Sequence, residues 1–207
     1  MRQRYNNLIT ILINDIYNYF FKFFNNIKLD TKEHKKNIKV RNLEHSSEFQ
    51  TVWLLNLNKL YNEFKKKINP NNYHFIDVGC GNGIPIIYAY KNFRFKSCSG
   101  FDFIQENIEI SKKNIDSSLG INNNIKLFNS DANEYKLEKD KSFFIFMYNP
   151  FSEYILNNFL KNNIELLKMN KSVIAYSNLS GEQLKVIKKY SLDFIENKKY
   201  KISVIFF

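Results

Sequence analysis

Hydrophobic positions change their period along this chain. Over residues 5–27 they recur at helical spacing. Leu8, Leu12, Ile16, Phe20, Phe23 and Ile27 share a face with Ile9, Ile13 and Phe24, while Asn7, Asn14, Asn18, Lys22 and Asn25 lie opposite. That division predicts an amphipathic helix. Asn14, Asp15, Asn18, Lys22, Asn25 and Asn26 interrupt the run, so the roughly 20 uninterrupted apolar residues of a membrane span are absent. The small-residue cleavage site of a signal peptide is also missing. Three uses of the helix stay open: packing on the domain, pairing with a partner helix, and peripheral contact with a membrane surface. Residues 29–42 are polar and basic and read as a linker, which divides the chain into an appendage over 1–42 and a domain over 43–207. A second helix is expected over 48–67. Ser47 and Gln50 give it a capping-box pattern, and Phe49, Val52, Trp53, Leu57, Leu60, Tyr61 and Phe64 give it an apolar stripe. Asn69-Pro70 stops it.

From Tyr73 onward, short apolar runs alternate with amphipathic ones. Strands are expected over 74–78, 97–102, 125–129, 142–149 and 171–177. Helices are expected over 84–92, with Pro85 in the first turn, over 104–118, from a Ser152 cap to 169, and from a Ser180/Gln183 cap to 190. Two further strands, 192–196 and 200–206, close the chain. The run Phe143-Phe144-Ile145-Phe146-Met147 is apolar at every position, as a central parallel strand covered on both faces must be. The alternation predicts an α/β fold: a doubly wound, Rossmann-like sheet, mostly parallel with an antiparallel C-terminal strand, plus N-terminal helices.

Composition narrows the picture. The 207 residues are 44% hydrophobic and 25% charged, which excludes fibrous, disulfide-scaffold and fully disordered classes. With only Cys80 and Cys98, a reducing, cytoplasmic setting is the expectation. The net charge of +11 admits a nucleic-acid or anionic-membrane partner. Lys far outnumbers Arg and no long basic block occurs, so a general bias toward Asn, Lys, Ile, Phe and Tyr explains the excess without a nucleic-acid function. Glycine says more. Gly79, Gly81 and Gly83 are three of only six in the chain, and they fall on a strand-to-helix turn at the carboxyl end of a parallel strand, where open α/β sheets bind ligands.

The segment from Asp77 to Gly83 reads D-V-G-C-G-N-G. It lacks both the G-x-G-x-x-G dinucleotide fingerprint and the lysine-ended phosphate loop. Its D-x-G-x-G-x-G spacing resembles the first motif of class I S-adenosylmethionine-dependent methyltransferases, and further resemblances follow in order over 43–207: Gly100-Phe101-Asp102, Ser130-Asp131-Ala132 and Met147-Tyr148-Asn149-Pro150-Phe151. The resemblance implies S-adenosyl-L-methionine as cofactor, held by Asp77, Gly79, Cys80, Gly81 and Gly83, by Asp102 at the ribose with Phe103 beside it, and by Asp131 and Ala132 at the adenine. A carboxylate that accepts two hydroxyl hydrogen bonds suits a diol. The bland alternatives are a helix cap at Asp102, a turn residue at Asp131 and a strand breaker at Asn149-Pro150. Cys80 reads as a small buried filler rather than a nucleophile. His34, His45 and His74 have no metal-ligand spacing with the two cysteines.

Asn149, Pro150 and Phe151 partly match the [DN]-P-P-[FY] motif of amino-group methyltransferases, with one proline in place of two. They also resemble the N-N-F segment of non-SET lysine methyltransferases. The resemblance therefore implies catalytic roles for these three residues and a nitrogen acceptor, a protein lysine or another amine. It places the region preceding the core over the pocket, with Phe49 and Thr51 as candidate contacts. A non-catalytic nucleotide- or nucleic-acid-binding module on the same fold is the competing reading, because fold alone does not fix function.

Overall fold

The computed structural model describes residues 8–28, 52–191 and 193–207. Seven strands form one sheet: β1 (Tyr73–Val78), β2 (Ser97–Asp102), β3 (Lys126–Asn129), β4 (Ser142–Tyr148), β5 (Val173–Ser177), β6 (Phe194–Asn197) and β7 (Ile202–Phe206). Their order is β3-β2-β1-β4-β5-β7-β6. All pairs are parallel except those of β7, which runs antiparallel to both β5 and β6. The helices are α1 (Leu8–Phe24), α2 (Leu54–Lys65), α3 (Ile84–Asn92), α4 (Gln105–Leu119), α5 (Glu153–Met169) and α6 (Gly181–Lys188).

Alternation within the strands builds two cores. Phe75, Phe144, Phe146, Val173 and Ala175 point to the side covered by α2, α3 and α4. Ile76, Val78, Phe143, Ile145, Met147 and Ile174 point to the side covered by α5 and α6. The period of two thus delivers alternate side chains of β4 to opposite layers. Aromatic rings fill the first core. Phe64 of α2 lies 4.9 Å from Phe144 and 5.0 Å from Tyr73, and Tyr61 stacks on Phe93 at 3.9 Å.

The amphipathic division of α1 is as expected, and the helix packs on the domain. The asparagine face meets the domain: Asn14 and Asn18 are its buried residues. The Asn18 amide donates to the Val52 carbonyl at 2.6 Å and accepts from the Leu54 N–H at 3.2 Å. Tyr17 and Tyr88 share a hydroxyl hydrogen bond of 3.0 Å, Phe21 packs edge-on to Tyr88, and Ile27 enters the core.

Asn18 also explains why α2 starts late. Val52 and Trp53 are not helical, and Trp53 is an extended N-cap with no side-chain cap of its own. An amide from a different helix replaces the local cap, and a free N-terminal N–H is satisfied across tertiary structure. The Ser47/Gln50 capping box, and Phe49 and Thr51, lie outside the described residues.

β1 stands where the strand order reverses, with β2 on one side and β4 on the other. This is the switch point at which the connections leave in opposite directions and open a crevice. Gly100 lets the β2 side close up. A Cβ there would lie 2.5 Å from Ile86 Cδ1, 3.0 Å from Cys80 Cβ and 3.2 Å from the Asp77 carbonyl oxygen. Gly100→Ala is therefore expected to destabilise the chain by about 1–3 kcal/mol in urea unfolding, the usual cost of overpacking. Gly181→Ala is the control and should cost almost nothing, because a Cβ at Gly181 meets nothing within 4 Å.

Candidate functional site

The crevice is built around the turn from β1 to α3. Gly79, Gly81 and Gly83 all adopt left-handed backbone, at φ 75°, 54° and 76°, which side chains disfavour. Neighbours hold the turn from several sides. The Gly79 and Cys80 N–H groups both donate to the Phe101 carbonyl, at 2.9 and 3.0 Å. Gly81 N–H donates to Asp102 Oδ2 at 3.0 Å. From α4, the Ser111 hydroxyl donates to the Gly81 carbonyl at 2.7 Å and the Asn114 amide to the Asn82 carbonyl at 3.0 Å. A Cβ at Gly79 would lie 2.9 Å from Pro150 Cβ. The glycine turn and the loop after β4 therefore touch.

Asp77 and Asp102 are both buried. Asp102 Oδ1 accepts from the Ile104 N–H at 2.9 Å, so it caps the entry to α4 as well as bracing the turn. Each carboxylate oxygen offers about two acceptor sites, so a ribose diol can still be received there. Asp77 Oδ2 is buried with no hydrogen-bond partner among the described residues. Burial first, and the Asp102 charge second, push its carboxyl well above the usual range. An orphaned buried acceptor beside a tight glycine turn fits a ligand that brings donors and positive charge, as a sulfonium amino acid does. Burial, then Asp102 and Asp77, raise the Cys80 thiol well above its ordinary value, which disfavours the thiolate.

Farther along the sheet, Asp131 Oδ1 accepts from the Asn133 N–H at 2.8 Å, the geometry of a turn, and Ala132 is buried in the core on the α5 side. Phe103 is half-buried next to Asp102. After β4, Asn149 takes a positive φ of 41°. Gln183 holds it there, donating to Asn149 Oδ1 at 3.1 Å and to the Phe151 carbonyl at 2.8 Å. The same side chain completes the Ser180 capping box of α6. Phe151 is buried, and Asn149 and Pro150 are half-buried.

The structure thus brings Asp77, the glycines, Asp102 and Pro150 together. Three contributors escape the sequence motifs: Ser111, Asn114 and the second role of Gln183. The polar residues on α4 and the cap on α6 were visible in the sequence, but not the loops they reach.

Residues 75–170 match the sequence model of the methyltransferase domain family. No curated protein sequence is significantly similar to the chain. Among solved structures, a ribosomal protein L11 methylase from Lactobacillus delbrueckii subsp. bulgaricus is similar with a TM-score of 0.52 and 17% identity, over 73% of this chain and 75% of that one. The methyltransferase domain of bacterial CtHen1 gives 0.53 and 18%, over 73% and 98%. The pyocyanin biosynthetic protein PhzM gives 0.54 and 11%, over 72% of this chain but only 54% of that longer one. These likenesses establish a shared fold. The family match lies on that fold, within the part of the chain that carries the glycine turn, Asp102 and the segment after β4.

The raised Asp77 carboxyl has a pH signature. The folded chain keeps a proton that the unfolded chain releases above its ordinary value of 3.8, so stability falls as pH rises between the unfolded and folded values. Asp77→Asn is expected to flatten that fall. In urea melts of the cofactor-free protein, the midpoint should drop less between about pH 5 and about pH 8 than in the parent. Equal drops would contradict the reading.

Proposed function

We propose that the cleft at the carboxyl ends of β1, β2 and β4 binds S-adenosylmethionine through the glycine turn, Asp77 and Asp102, and methylates an amine nitrogen presented at Asn149. The bound cofactor supplies a methyl group already activated as a sulfonium. The chain has only to place a nucleophile in line with it, and such positioning can supply about 7–11 kcal/mol in the best intramolecular systems.

The chemistry of Asn149 carries the nitrogen preference. Its Oδ1 accepts one hydrogen bond from Gln183 and retains a second lone pair for an incoming N–H. An amide oxygen orients a donor but does not remove a proton from a hydroxyl. A neutral amine needs no such base, since it brings its own lone pair. Gln183 acts here as a positioning residue: it fixes the amide of Asn149 and, through the Phe151 carbonyl, the backbone that follows. A protein lysine or another amine fits this arrangement better than an alcohol.

Two measurements test the reading. Calorimetry with S-adenosylmethionine and S-adenosylhomocysteine should give micromolar binding, about tenfold or more weaker in Asp102→Asn, where one acceptor of the diol is replaced by a donor. No binding to folded protein would remove the cofactor assignment to these residues. With an amine acceptor in hand, Asn149→Ala should leave cofactor affinity within a few-fold and lower turnover by more than about tenfold. Unchanged turnover would remove Asn149 from the mechanism.

A further inference from the structure

The outward side of α1 is apolar to an unusual width. Leu8, Ile9, Leu12, Ile13, Ile16, Tyr19, Phe20, Phe23 and Phe24 are all exposed, with Leu8 at 83% and Phe24 at 75%. At 3.6 residues per turn they fill a continuous arc of about 160°, broken by no polar residue. Asp15 and Lys22 fall beside this arc, and the asparagines fall opposite it. The four aromatics near the carboxyl end of α1 contact one another: Tyr19 stacks on Phe23 at 6.4 Å and Phe20 on Phe24 at 6.1 Å. Hydrogen bonds from Asn18, Tyr17 and Asn26 to Val52, Tyr88 and Ser117 fix the rotation of the helix, so this arc cannot turn inward without breaking them.

We propose that this face of α1 lies on an anionic lipid bilayer and makes the protein a peripheral membrane protein. Charge selects this occupant. Residues 1–42 contain nine Lys and Arg (Arg2, Arg4, Lys22, Lys28, Lys32, Lys35, Lys36, Lys39 and Arg41) against Asp15, Asp30 and Glu33. That segment holds +6 of the chain's +11. Cations flanking an apolar, aromatic-rich helix are what anionic headgroups attract while the acyl boundary receives the rings. The chemistry of the arc points the same way. A partner helix covers a narrow seam edged by charge, whereas this arc is nearly half the helix circumference and convex. The chain's own residues 29–42 supply only Leu29, Ile38 and Val40 as aliphatic cover. No helix among the described residues is long and apolar enough to cross a membrane, so contact would be in the plane of the interface.

The full chain should co-float with vesicles of phosphatidylcholine and phosphatidylserine, bind vesicles of phosphatidylcholine alone about tenfold less, and lose binding as salt rises. The double variant Phe20→Glu/Phe23→Glu should lose at least about tenfold in partition to the anionic vesicles. Both rings are at least half water-exposed, at 50% and 67%, so helical circular dichroism and S-adenosylhomocysteine affinity should be unchanged. If that variant unfolds, Leu12→Gln/Ile16→Gln replaces it with the same expectation. Failure of the folded full chain to float with anionic vesicles would overturn the proposal, as would equal binding by a folded variant. A stable dimer in sedimentation that the same variants dissociate, without vesicle binding, would assign the face to a second copy instead.

Discussion

Two carboxylates buried at the ends of adjacent strands set the terms for the rest of this cleft. Asp77 and Asp102 lie together out of contact with water, which directed donors and a proton retained on Asp77 make tolerable. Asp102 finds them in the backbone of the glycine turn and of α4. Asp77 Oδ2 finds none among the described residues. The left-handed glycines follow from this, because Gly81 can present its N–H to Asp102 only if the chain doubles back sharply. The approach of Pro150 uses the same turn, since Pro150 Cβ stands 2.9 Å from where a Gly79 Cβ would be. Functional sites commonly retain such locally unfavourable arrangements, and the rest of the fold supplies the stability.

The loop after β4 is held from the other direction. Its geometry depends on one glutamine, whose side chain serves the amino end of α6, Asn149 and the Phe151 carbonyl together. The cleft is therefore assembled from both sides of the switch point: α4 braces the turn after β1, and α6 braces the segment after β4.

Most of the sheet was legible because its signals are local. β2 and α3 match their expected bounds, and β4 announces its double burial by five successive apolar side chains. The Asp77-to-Gly83 turn was legible because glycine is scarce in this chain and clustered there. What stayed hidden depends on contacts distant in sequence. Ser111 and Asn114 read as ordinary helix residues until the turn is placed against them. The start of α2 could not be read from its own residues, because its cap comes from Asn18. A helical wheel separated the two faces of α1 correctly, yet periodicity reports only that the faces differ. It cannot say that hydrogen bonds from asparagines will outcompete apolar burial for the side facing the domain.

The attachment of α1 has a calorimetric consequence. A helix that docks through its apolar stripe hides hydrocarbon from water, and releasing it raises the heat capacity. Here the hydrocarbon is already in water while the helix is docked, and the docked side is largely amide and hydroxyl, with Phe21 and Ile27 as its main apolar contacts. Undocking α1 thus carries a small heat-capacity change for a helix of 17 residues. The free energy holding it will vary almost linearly with temperature, without the curvature that governs the sheet and its two cores.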